Sequence, residues 1–236
     1  SAPTGEGLLY EVDMQLRPSG RAGPVAVRMS SFEHYYREEA WTWEFMALTR
    51  IRPVAGDGDL GRRIVETARR ALQAKSADPK ITEDVADMRR RMARERKPRS
   101  MWDVKLAPGG LVDIEFLTQH AILMTAARTP GAVQPGSLAA IKALAAAGHF
   151  SAGEAALLID GLSLQLNLQQ ALRIAAGDKF EPDGASAGLK AWLAKHLGFK
   201  DFPALTARLR EIQDQIAALR TRKLGPLTTE GGGEGV

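Results

Sequence analysis

The sequence predicts a mainly α protein with a small β part confined to its start. Three observations carry that expectation. Side chains alternate along residues 8–17, where Leu8, Tyr10, Val12, Met14 and Leu16 fall on one side and Glu11, Asp13, Gln15 and Arg17 on the other. From about residue 30 onward the apolar spacing is mostly helical. The last apolar series, Leu205, Leu209, Ile212, Ile216 and Leu219, steps by 4, 3, 4, 3, which is a helix-packing seam.

Each element follows in order. The strand at 8–17 is stopped by Pro18, Gly20, Gly23 and Pro24. A short strand is expected at 25–29. Ser30 or Ser31 suits the cap of a helix reaching about residue 37. A second helix is expected over 39–48, and Pro53 limits the extended stretch after it. The Gly56–Asp59 turn starts a helix to 75, and another covers 81–96. Pro98, Pro108, Gly109 and Gly110 mark a junction, with a short extended piece at 102–106. Helices then fit 111–128, 136–147 and 186–197. Ser151 and Glu154 form a capping box for a long helix to about 176, and its leucines lie on several faces, so it should be central and buried. Gly177 is its expected stop. Pro203 opens the last helix, to about 222. The Gly-rich residues 225–236 are expected to be disordered. The division expected is 1–100, 101–224 and a tail at 225–236. One or two strands cannot make a sheet with a buried face. Helices must cover them, or the rest of the sheet lies on chain outside this sequence.

Composition narrows the function classes. The chain has 236 residues, 44% hydrophobic and 25% charged, the balance of a soluble globular protein. It has no Cys, so disulfide and thiolate chemistry are excluded, which favours a reducing compartment. No apolar run has the length of a membrane span and no signal peptide is visible, so a cytoplasmic location is expected. The net charge is +4, much of it between Arg89 and Arg99. That run is read first as a solvated helix end. It has no interleaved aromatics for stacking bases, so a nucleic-acid partner is not expected.

The first strand carries the most chemistry. Glu11 and Asp13 share a face, beside Arg17 and Arg21 in a Gly-rich turn. Carboxylates suit a hard cation such as Mg²⁺, and a guanidinium fork matches phosphate oxygens. A polar strand face, with the arginines in salt bridges, explains the same residues. Lys105, with Gly109 and Gly110 opening a helix, is a second phosphate candidate, because glycines let an anion approach backbone N–H groups. An ordinary glycine turn explains these too. Asp113 and Glu115 lie about 200° apart around their helix and cannot form one metal site alone; dipole placement in the first turn accounts for them. Trp41, Trp43 and Phe45 are expected to pack between strand and helices. His34, His120, His149 and His196 have no ligand spacing.

Four segments in order narrow the reading: Tyr10-Glu-Val-Asp-Met-Gln-Leu-Arg-Pro-Ser-Gly20, Glu39-Ala-Trp-Thr-Trp-Glu44 running into Ala47-Leu-Thr-Arg-Ile-Arg52, Asp103-Val-Lys-Leu-Ala-Pro-Gly-Gly110, and Leu111-Val-Asp-Ile-Glu-Phe-Leu-Thr-Gln119. Their order and spacing resemble the bacterial glutamine synthetase adenylyltransferase/adenylyl-removing enzymes, and the Leu-Arg-Pro-Ser-Gly and Trp-Thr-Trp versions look like the C-terminal part of the adenylylating half. The resemblance implies an incomplete polymerase-β-like nucleotidyltransferase domain followed by an α-helical bundle. It implies transfer of AMP from ATP to a tyrosine of glutamine synthetase, with Mg²⁺, and regulation by glutamine and the PII signal protein. Asp13 matches the third metal carboxylate of the family, and could also draw the proton from the tyrosine hydroxyl. Two further carboxylates belong to a Gly-Ser…Asp-x-Asp segment that this sequence does not contain, so the chain alone is expected to be inactive. Glu11 is a possible second metal ligand from its place on the strand, and the resemblance speaks for Asp13 only. Two other readings stay open: a helical protein-interaction module without chemistry, and an RNA nucleotidyltransferase relative.

Overall fold

The structure, a computed structural model, describes residues 5, 18–20, 23–176 and 180–227. The expected strand at 8–17, with Glu11, Asp13, Arg17 and Arg21, lies outside the described residues, as do Gly177 and 228–236. Among the described residues there are nine α-helices and no strand, so the mainly α expectation holds. They are α1 (Met29–Glu38), α2 (Thr42–Leu48), α3 (Gly58–Lys75), α4 (Ile81–Glu95), α5 (Leu111–Thr125), α6 (Ser137–Ala146), α7 (Ala152–Ala175), α8 (Ala187–His196) and α9 (Phe202–Leu224).

Local chemistry sets several of these ends. Asp57 accepts the Leu60 N–H at 2.7 Å and starts α3. Ser151 Oγ and Glu154 exchange bonds with each other's backbone at 3.1 and 3.0 Å, which is the expected capping box of α7. Asp201 caps α9 just before Pro203. The short strand expected at 25–29 is not present; those residues form bends and an irregular lead into α1. Residues 102–106, expected to be extended, form successive turns held by bonds such as Ala107 N–H to Asp103 O at 2.8 Å. The helix expected from 39 begins at Thr42, because Glu44 Oε2 accepts the Trp41 N–H at 2.9 Å and fixes the entry there.

The core is organised around α5. Twelve of its fifteen residues are buried, and α2, α3, α4, α6, α7 and α9 all pack against it. A helix apolar all round has to be central. The seam of α9 is buried as its spacing predicts, with Leu205, Leu209, Ile212, Ile216 and Leu219 all essentially inaccessible. It lies along α7, where Gly161 lets the two helices close together: a Cβ there would overlap Ile216 Cδ1 and stand 3.1 Å from Ile212 Cγ2. The apolar core runs without a break from Phe45 on α2 through Val85 on α4 to Leu224. It therefore crosses residue 100, where a domain boundary was expected.

The expectation for the aromatic trio holds only for Phe45, which is buried. Trp41 is 72% exposed and Trp43 39% exposed. Phe45 lies on the face of α2 that meets Tyr36, at 5.4 Å between ring centroids, whereas Trp41 precedes the helix and Trp43 turns away from that face.

Candidate functional site

Three of the four segments converge on one side of α5. Arg50, just after α2, reaches Glu115 on α5 at 3.1 Å. Lys105, in the turns before α5, is exposed and lines the same groove as Arg50 and Glu115. The described end of the first segment also meets the second. Tyr35 donates its hydroxyl to Glu44 Oε1 at 2.6 Å, and the Ser19 backbone is within hydrogen-bonding reach of that hydroxyl. Burial, reinforced by Glu44, pushes the Tyr35 hydroxyl above its ordinary pKa, so it stays a donor.

The glycine turn is built for packing. Gly109 has φ +74°, and a Cβ there would overlap the Gln213 backbone on α9. At Gly110 a Cβ would stand 2.5 Å from Val104 O. The N–H groups of the turn are engaged within it. Gly109 donates to Asp113 Oδ2 at 2.6 Å, Gly110 to Ala107 O, Leu111 to Val104 O and Val112 to Lys105 O. The phosphate-cradle reading of Gly109 and Gly110 therefore has no donor to rest on at these four amides, and close approach to α9 accounts for both glycines. Lys105 remains an accessible cation.

Beneath the turn lies a buried polar network that sequence reasoning missed. Asp113 is fully buried. It accepts from Arg89 Nε on α4 at 2.7 Å and faces Arg220 Nε on α9 at 3.7 Å. Gln165 on α7 donates to Gly109 O at 3.1 Å, and Gln213 on α9 donates to Met101 O at 2.9 Å. Burial pushes the Arg220 guanidinium below its ordinary pKa, against the pull of Asp113. Dipole placement does not account for Asp113; it is the anion on which two arginines close. Asp113 and Glu115 do point apart, one buried and one on the groove. The basic run is also altered: Arg89 is in the core and Arg90 pairs with Asp87, so fewer of its charges face solvent freely.

Among the described residues no three His, Asp or Glu side chains gather as a metal site. The carboxylates suited to Mg²⁺ by their chemistry, Asp13 and Glu11, lie outside those residues. No described helix is long and apolar enough to cross a membrane.

Comparison with known proteins supplies the family. Residues 1–67 match the family model for glutamate-ammonia ligase adenylyltransferase, and residues 79–223 match that for GlnD PII-uridylyltransferase. Over 221 residues, 94% of the chain, it is 42% identical to a bifunctional glutamine synthetase adenylyltransferase/adenylyl-removing enzyme of a Bradyrhizobium species. The chain belongs to this family. Enzymes of the same description from Rhodopseudomonas palustris and Rhizobium meliloti are both 41% identical, over 94% and 92% of the chain. The chain spans 22% of the length of each of these three relatives. The second family match begins just before α4 and runs to the end of α9, the stretch tied together by Arg89, Asp113 and Arg220.

Proposed function

We propose that this chain is part of an enzyme that transfers AMP from ATP to a tyrosine of glutamine synthetase and so regulates nitrogen assimilation. The observation that carries the reading is the 42% identity across 94% of the chain to an enzyme named for that reaction. In this reading residues 1–100 belong to a polymerase-β-like nucleotidyltransferase domain, and the helices after them form the body against which it is held. Mg²⁺ would rest on Asp13, with Glu11 beside it, and would supply charge neutralisation at the phosphates. Arg17, Arg21 and Lys105 would contact phosphate. The PII signal protein is proposed as a regulatory partner, a reading supported by the name of the family model matched by residues 79–223. A cytoplasmic location fits the Cys-free sequence.

The test uses a polypeptide of the relatives' full length that contains this chain. Asp13→Asn keeps the size of the side chain and removes its charge. Transfer of labelled AMP to glutamine synthetase should fall at least about a hundredfold, the scale on which removing a group acting in the transition state is felt. Removal of AMP by the other half should persist. Transfer at the parental rate would overturn the role given to Asp13.

A further inference from the structure

The turn that ends the first segment is tied to the start of α2. Ser19 has φ +60°, left-handed backbone that a residue with a Cβ adopts only at a cost. Among the described residues no other non-glycine residue has a positive φ. The turn is closed on itself. The Gly23 N–H donates to Ser19 O at 3.2 Å, and a Cβ at Gly23 would overlap Pro18 O. It is also held from outside. The Ser19 N–H donates to the Tyr35 hydroxyl, and that hydroxyl donates to Glu44 Oε1 at 2.6 Å. Glu44 is 4% exposed and is fixed in turn by the Trp41 N–H, 2.9 Å from Oε2.

A non-glycine residue stays in this conformation only where its surroundings over-determine it, and such residues gather at functional sites. Packing does not require the pair. The Tyr35 ring meets the edge of Tyr36 at 5.6 Å between centroids, a contact that phenylalanine would make equally well. What the hydroxyl adds is a relay from a buried carboxylate to the backbone of the turn. Among the described residues Glu44 makes no ion pair, so its burial rests on the two donors, Tyr35 and the Trp41 amide. The relay joins the first of the four segments to the second. Ser19 stands two residues after Arg17 and six after Asp13.

We propose that Tyr35 and Glu44 are positioning residues for adenylyl transfer: through the Ser19 amide they fix the turn from which the chain runs back to Arg17 and Asp13. The inference rests on the adenylylation reading and adds to it two side chains of the helical layer that act through the backbone.

The test uses the same full-length polypeptide and follows AMP transfer to glutamine synthetase. Tyr35→Phe keeps the ring and removes the relay. Its kcat should fall at least about tenfold, as the misplacement of a reacting group does, while KM for glutamine synthetase changes less than about twofold. Adding Ser19→Gly to Tyr35→Phe should raise kcat again at least about threefold, because glycine adopts a positive φ unaided. A tyrosine that only packs α1 against α2 would show no such recovery at residue 19. Tyr36→Phe removes the neighbouring hydroxyl and should leave kcat within about twofold of the parent. In the chain itself, Tyr35→Phe should speed amide hydrogen exchange at Ser19 at least about tenfold. A kcat for Tyr35→Phe within about twofold of the parent, a loss that Ser19→Gly does not recover, an equal loss in Tyr36→Phe, or unchanged exchange at Ser19 would each overturn the proposal. With a parent that transfers AMP and loses transfer in Asp13→Asn, any of these results leaves the adenylylation reading standing. A parent that transfers no AMP overturns both.

Discussion

Arg89 on α4 and Asp113 on α5 form an ion pair 2.7 Å long, with their side chains 3% and 0% exposed. The pair joins residues 24 positions apart on either side of the Pro- and Gly-rich segment at 98–110. Arg220 on α9 closes on the same carboxylate. One anion thus holds three helices and the N–H of Gly109.

Removing that anion should be severe. Asp113→Ala leaves Arg89 and Arg220 buried with no countercharge, which costs on the order of 3–5 kcal/mol. Arg89→Met should cost less, because Asp113 keeps Arg220 and the Gly109 N–H. Urea unfolding of the two variants measures the difference; equal losses would mean that Asp113 does not hold the network together.

Gly161→Ala should reverse the usual sign. Alanine in a helix interior normally stabilises by roughly 0.5–1 kcal/mol over glycine. On α7 the new methyl would overlap Ile216 Cδ1, so a loss of roughly 1–3 kcal/mol is expected. Adding Ile216→Val, which removes that Cδ1, should recover part of it. A rise in melting temperature for Gly161→Ala would show that α7 and α9 are not so closely packed.

Stability should fall with acid between pH 6.5 and 4. His120 is buried, with Nε2 2.9 Å from Thr82 Oγ1, and burial pushes its pKa from 6.5 down to about 4. The unfolded chain therefore takes up the proton first. Stability is complete above pH 6.5, declines as pH falls, and levels off near pH 4. At pH 5 the loss attributable to His120 is about 2 kcal/mol. His149, also lowered by burial, adds to the slope. Denaturant melts of His120→Gln at pH 7 and pH 5 should show most of this loss removed; an unchanged slope would place the effect elsewhere.

A piece beginning at residue 79 should be more stable than one beginning at 101. The shorter piece lacks α4, whose Ile81 and Val85 are fully buried against the bundle, and leaves Asp113 without Arg89. Melting curves of 79–227 and 101–227 decide the point. Equal midpoints would support the division expected at residue 100.

Much of the fold was legible in local chemistry. The caps at Asp57, Ser151 and Asp201 and the seam from Leu205 to Leu219 act within a turn or two of themselves, so the residues specify them directly. The candidate groove was half legible. Lys105 stands out beside its glycines, whereas Arg50 and Glu115, which line the same groove, pair across 65 positions of the chain. Gly109 and Gly110 stand out in the sequence for the freedom of their backbone, with a phosphate approach and an ordinary turn both open, and only the packing shows that α9 and the turn itself use it.

The sequence by itself determined the helices, their order and the family, because these rest on short-range periodicity and on motifs read in line. Only the tertiary structure decided which charges are solvated and which are spent in the core. Arg89 and Asp113 read as ordinary helix-end charges, and nothing within a few residues of either names the other. Their burial follows from the packing of α4 and α9 on α5, and a charge can be taken from water there because its counter-ion arrives from a distant part of the chain.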